Sequence, residues 1–175
     1  FDEGRRVRVQ PGATIRAVNT ALARYQRKLG PDPASSVACT VGGVLADNSS
    51  GMSCGTIANS YQTLESMVIV LASGTVLDTA DPDADDKLSS TEPELVETLL
   101  RLRETCRRPE HAERIRHLFS MKNTMGYGLN SFLDHDSPSQ ILSHLMIGSE
   151  GTLGFIASAV MRTLPVMPQI STALL

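Results

Sequence analysis

The stretch CTVGGVLADNSSGMSCGT, Cys39 to Thr56, places four glycines around an apolar patch at Val44, Leu45 and Ala46. Glycine loses more conformational freedom on folding than any other residue, so such a cluster needs a tight turn, a close chain approach or a bound ligand to offset the loss. A second cluster, Gly148-Ser149-Glu150-Gly151-Thr152-Leu153-Gly154, lies between apolar Leu145-Met146-Ile147 and a strand-like run from Phe155. A fold for this chain must put two stretches of bare backbone to use.

Thr40 is placed to cap a helix starting near Val41. Gly42 and Gly43 would then leave the first helical amides uncovered, and an anion, pyrophosphate above all, could rest against them and the positive end of the helix dipole. The plainer alternative is a glycine-rich turn before a packed helix. With no G-x-G-x-x-G in the chain, local chemistry leaves both open. The second cluster is not the G-x-S-x-G of a hydrolase elbow, because Ser149 directly follows Gly148. It reads equally as a tight link between strands or as a ligand loop.

The flanking elements predict an α+β arrangement, a largely antiparallel β-sheet flanked by helices. Arg6-Val7-Arg8-Val9-Gln10 alternates with period two until Pro11-Gly12 stops it. From Thr14, Ile15, Val18, Leu22, Tyr25 and Leu29 fall at helical spacing, closed by Gly30-Pro31. Met67 to Leu71 and Thr75 to Leu77 around Ser73-Gly74 predict a hairpin with a buried first strand. Asp81 to Asp86 reads as an acidic loop, and Thr91-Glu92-Pro93-Glu94 as a capping box that opens a helix with Leu95, Leu99, Leu102 and Cys106 inward. A further helix begins at Pro109 and lines up Ala112, Ile115 and Phe119. Ser120 to Pro138 has no period and reads as loop. Phe155 to Leu164 is apolar on both faces and predicts a strand covered on both sides.

The net charge of -3 and the pI near 5.8 leave no basic surplus for nucleic acid. No apolar run is long enough to span a bilayer, and the N-terminus carries no signal-peptide pattern, which predicts a cytoplasmic protein. Cys39, Cys54 and Cys106 are too few and too irregular for a disulfide framework. The spacing of Cys106, His111 and His117 misses a single helical face, so no metal ligand is assigned. Lys122-Asn123-Thr124 before Gly126-Tyr127-Gly128 reads as a solvated turn, and Asp134-His135-Asp136 as a solvated loop.

Taken in order, VRVQPGATI, PDPASSVACTVGGVLADNSSG, VIVLASGTVLDT, KNTMGYGLNSF and LMIGSEGTLGFI resemble the PCMH-type FAD-binding domain of FAD-linked oxidases, over nearly the whole chain. The DTADPDAD loop and FSMKNTMGYGLNSFLDHD resemble bacterial D-lactate and D-2-hydroxyglutarate dehydrogenase-like proteins with a downstream iron–sulfur module. The resemblance implies FAD held by Thr40, Val41, Gly42, Gly43, Asn48 and Gly51, approached by Pro33 and Ser36, with Glu150, Gly151, Gly154 and Ile156 on a second cofactor loop. It departs at Ile57-Ala58, where many members have an aromatic–glycine pair. It further implies hydride transfer from a D-2-hydroxy acid to flavin, an electron acceptor as partner, and peripheral contact with the inner membrane as an option for the full-length protein. Sugar or aromatic-alcohol oxidation on the same fold, and a module with an empty flavin site, are the alternatives. The sequence opens on Phe1 and is read as residues 1–175 of a longer protein, with the family's first phosphate loop and its C-terminal cap, where the catalytic residues are expected, outside it.

Overall fold

The computed structural model describes residues 1–167. Strand β1 (Arg6–Val9) leads through Pro11-Gly12 into helix α1 (Ile15–Leu22), whose N-cap Thr14 accepts a hydrogen bond from the Ala17 amide. The helix ends well before Leu29. A single 3-10 turn follows, Gln26 adopts left-handed backbone (φ 54°), and Arg27–Leu29 become strand β2. Long-range pairing overrides the helical spacing there: Leu29 is fully buried and its amide is taken by Asn19 Oδ1 at 2.8 Å, whereas Tyr25 is left exposed.

Helix α2 (Val41–Asp47) and the single turn α3 (Ser60–Thr63) precede β3 (Leu64–Val70), which forms the expected hairpin with β4 (Val76–Asp78). The acidic stretch is only partly loop, because α4 (Ala84–Thr91) starts inside it. Asp85 and Asp86 sit in its first turn, where carboxylates suit the helix dipole, and Asp85 Oδ1 accepts the Ser139 amide at 2.8 Å. The capping box does not form. Thr91 closes α4, and the Glu92 carboxylate turns instead to the β3–β4 turn, accepting the hydroxyls of Ser73 and Thr75.

Helices α5 (Pro93–Cys106) and α6 (Pro109–Ser120) each begin with proline, as expected. Of the predicted inward stripe of α5, Leu99 is buried, Leu95 and Cys106 are half-buried and Leu102 is exposed. The turn α7 (Ser131–Asp134) interrupts the polar stretch read as loop, and α8 (Pro138–Leu145), capped by Ser137, follows it.

The last described element, β5 (Phe155–Pro165), is the hub of the antiparallel sheet. It pairs with β1 (Val7 opposite Met161), with β2 (Leu29 opposite Thr163) and with β3 (Met67 opposite Ala159). The expectation of burial on both faces is corrected here. Ile156, Ala159, Met161 and Thr163 are buried, but Phe155 and Arg162 are exposed. The strand is central, with main-chain bonds along both edges, and its second face at Ala157, Ser158, Val160 and Leu164 is only half-buried.

The stretch Asp134-His135-Asp136 is not a solvated loop. His135 stacks on His144 of α8 (ring centroids 4.0 Å apart), and Tyr61 of α3 packs edge-on against His144 at 4.8 Å. The Tyr61 hydroxyl donates to Asp134 at 2.7 Å, while Asp136 turns outward to Arg107 at 2.8 Å. His144 Nδ1 lies 2.9 Å from the Gln140 carbonyl, which can only accept, so Nδ1 carries a proton. Burial, with the neighbouring His135 second, pushes His144 down to about 4, and burial likewise lowers His135. Unfolded histidine titrates near ~6.5. Between these values the unfolded chain binds protons that the folded chain refuses, so stability is full above the unfolded value, falls as the pH drops from there and levels off near 4. Chemical denaturation across that window should show parent stability dropping by on the order of 3 kcal/mol relative to a His144→Asn variant. Parallel pH profiles for the two proteins would contradict it.

Candidate functional site

The two glycine clusters meet. Pro11, Thr40, Gly42, Gly43 and Ala46 form one wall of a cleft of about 250 Å³, and Met146, Ser149, Gly151, Gly154, Phe155 and Ile156 form the other. Helix α2 supplies the first wall because Gly42, Gly43 and Ala46 share one face of it. The second wall is the loop entering β5. Gly148 donates its amide to Leu45 O at 3.0 Å, and Glu150 donates to Ala46 O at 2.9 Å, so loop and helix are bonded backbone to backbone.

The helix amides are not open, and this corrects the expected anion seat. The Val41 amide donates to Ala13 O at 2.8 Å and the Gly42 amide to Pro11 O at 2.9 Å. The Gly43 amide faces the capping hydroxyl of Thr40 at 3.4 Å. The lining carries neither lysine nor arginine. Asp47 and Glu150, each next in sequence to a lining residue, stand together, and the hydrogen bond from one to the other raises the Glu150 pKa. An apolar cleft with engaged amides and no cation in its lining suits a flat ring better than a pyrophosphate.

The glycines divide by what their missing side chain makes room for. A Cβ on Gly42 would stand 2.6 Å from the Pro11 side chain, one on Gly154 2.9 Å from Val70 O, and one on Gly51 1.9 Å from Asp32 O. Those three are bare so that chain can lie on chain. Gly51 also needs its left-handed backbone (φ 73°). Gly43 differs: its Cβ would meet only Thr40 Oγ1, at 3.5 Å, so nothing in the protein asks for glycine there. Its bareness leaves the cleft floor flat.

Six of the residues expected at a cofactor, Thr40, Gly42, Gly43, Gly151, Gly154 and Ile156, line this cleft. Val41 does not: its side chain is in the core. Asn48 caps α2 in left-handed conformation, and its buried Oδ1 has no partner. Pro33 is buried against the Gly51 backbone, where Asp32 and Gly51 form a bridge, and Ser36 accepts the Arg16 amide. Lys122, read as part of a solvated turn, donates to Gly51 O at 2.5 Å and braces that segment. Ile57, standing where an aromatic residue is usual, is exposed, and its neighbour Ala58 is buried beneath Gly30.

Sequence reasoning missed Pro11, Ala46, Met146, Ser149 and Phe155. Ala46 was within reach, since it follows Gly42 by one helical turn, and Phe155 by adjacency to Gly154. Pro11 and Met146 reach the cleft only through tertiary packing. Among the described residues no group of three or more His, Cys, Asp or Glu converges as a metal site, and no helix is long and apolar enough to cross a membrane.

This architecture, helices on an antiparallel five-stranded sheet, recurs among solved structures. It is similar in fold to an alkyldihydroxyacetonephosphate synthase structure, with a TM-score of 0.53 at 20% identity, covering 97% of this chain and 21% of that one. The family model of the FAD binding domain matches residues 1–80, and FAD is the cofactor it indicates. D-2-hydroxyglutarate dehydrogenase of Haemophilus influenzae is 28% identical over 171 residues, 95% of this chain and 17% of that protein. Its counterpart in Pantoea ananatis is 29% identical over 172 residues, 96% and 16%. Glycolate oxidase subunit GlcD of Escherichia coli is 45% identical over 51 residues, 29% and 10%. The chain thus spans a minor part of each of these relatives.

The two kinds of glycine separate in experiment. Gly43→Val should lower FAD retention of the full-length protein at least tenfold while moving its melting temperature by only ~2 °C, because it fills the cleft and touches little else. Gly42→Val should lower the melting temperature with or without flavin, since it presses on Pro11. Flavin retention unchanged in Gly43→Val would remove this cleft from the cofactor site.

Proposed function

We propose that this chain forms the ring-binding part of the FAD site in a flavin-dependent dehydrogenase acting on a D-2-hydroxy acid of the lactate, 2-hydroxyglutarate or glycolate type. The observation that carries the reading is the cleft built from two glycine loops far apart in sequence, with a floor at Gly43 that no protein packing requires. The substrate class rests on the relatives, whose names share one chemistry, a hydroxyl on the carbon next to a carboxylate. That warrant is analogy, and it is open to a direct test.

In this reading Thr40, Gly42 and Gly43 present α2 to one face of a ring of the cofactor. Gly151, Gly154 and Ile156 close on the other face with backbone and one aliphatic side chain. Asn48, Gly51, Pro33 and Ser36 act behind that wall by holding the turn after α2, and the Glu150 amide ties the second wall to α2. The pyrophosphate is left to donors other than the α2 amides. Bound FAD supplies the two-electron acceptor for the substrate's Cα hydride. This chain's residues exclude water from the ring and fix its orientation, and no catalytic residue is assigned among them. Electrons then pass to an acceptor, for which the resemblance favours a downstream iron–sulfur module.

Stopped-flow mixing of the full-length protein with D-lactate, D-2-hydroxyglutarate and glycolate should bleach the flavin, with the L-isomers of the chiral acids slower by a large factor. Bleaching by an aromatic alcohol or a sugar, and by none of these acids, would replace the substrate reading. The 175-residue chain alone should fold and hold FAD only at roughly millimolar concentration, because the cleft offers a ring seat without cations or free amides for the phosphates. Saturable binding at micromolar concentration, followed by flavin fluorescence, would show that it holds more of the cofactor than its ring.

A further inference from the structure

We propose that Tyr127 and Thr152 form a latch that holds the second wall of the cleft closed on the cofactor; the proposal rests on the FAD reading above. The wall loop needs such a device. Left-handed backbone recurs at Gly148 (φ 81°), Glu150 (φ 53°) and Gly151 (φ 74°), and no neighbour lies within 4 Å of a Cβ built on Gly151. Its bonds to α2 end at Glu150. Beyond that residue, Thr152, Leu153 and Gly154 must carry the wall to β5 with only local support: the Thr152 amide donates to Ser149 O at 3.0 Å, and Leu153 packs partly into the core.

The Tyr127 hydroxyl lies 2.7 Å from Thr152 Oγ1. Thr152 has one hydroxyl hydrogen, which is already directed to Ser149 O at 2.6 Å. Tyr127 must therefore be the donor, and the three atoms make a directed chain, Tyr127 to Thr152 to Ser149. Ser149 itself lines the cleft and donates to Met146 O at 2.9 Å. The chain thus runs from a solvent-facing loop to a cleft residue. The two loops also touch through backbone, since a Cβ on Gly148 would lie 2.8 Å from Gly126 O. Tyr127 is 44% exposed and Thr152 is exposed, so the bond has little hold on global stability. Its effect falls on the loop's opening, and so on how long a bound cofactor stays.

Tyr127 is accordingly a positioning residue. Tyr127→Phe removes the donor and keeps the ring; Thr152→Val removes the acceptor and keeps the shape; Thr152→Ser keeps the hydroxyl. In the full-length protein, Tyr127→Phe and Thr152→Val should each speed FAD release about three- to tenfold. The double variant should be no faster than the worse single one, and Thr152→Ser should restore the parent rate. The unfolding midpoint of the flavin-free protein should not move, which separates a latch from a general loss of structure. FAD release from Tyr127→Phe at the parent rate, or additive effects in the double variant, overturns the latch alone. A parent protein that takes up no FAD at all overturns the latch and the FAD reading together.

Discussion

Everything in this molecule hangs on the main-chain hydrogen bonds of β5. Three strands from the first half of the chain, β1, β2 and β3, pair with that one strand. The strand's entry at Phe155 is where the loop from Gly148 ends, and helix α2 is bonded to that loop through Leu45 and Ala46. The cleft is therefore a by-product of sheet order: once β5 is docked, the loop before it has nowhere to lie except against α2.

Bare backbone serves two purposes here that sequence does not distinguish. Gly42, Gly51 and Gly154 let one stretch of chain rest on another, and Gly43 keeps a surface flat. A glycine of the first kind is repaid by van der Waals contact and main-chain bonds within the protein. One of the second kind is a standing cost of up to about 1 kcal/mol in a helix relative to alanine, offset only when something occupies the space.

Much of the fold was legible because it rests on local rules. The period-two run at Arg6, the Ser73-Gly74 hairpin, and prolines 93 and 109 opening helices all act within a few residues, and all hold. The failures share one cause. Leu29 kept a helical spacing but joined a strand opposite Thr163 of β5. Thr91 matched a cap but closed α4 instead, while Glu92 beside it found the Ser73 and Thr75 hydroxyls. Asp134-His135-Asp136 looked polar, yet His135 had an imidazole to stack on. In each case a partner distant in sequence outbid a local preference. The site followed the same course: its residues were named through the family resemblance, but the state of the α2 amides depended on Pro11 and Ala13, which no pattern near Gly42 reveals.

The pairing of Arg6 with Arg162 also sets a schedule. A ribosome adding roughly 5–20 residues per second takes on the order of ten to thirty seconds to make the strand that β1 needs. Throughout that interval β1, β2 and one edge of β3 emerge with unpaired amides and carbonyls and nothing to join but each other or a neighbouring chain. Sheets closed by their last strand are slow to form because the entropy of the large loop is spent before any contact rewards it. During synthesis the cofactor cannot help, because one wall of its seat has not yet been made. The flavin meets a finished cleft or none, and the nascent protein's exposure to chaperones and to aggregation is decided before its ligand has any say.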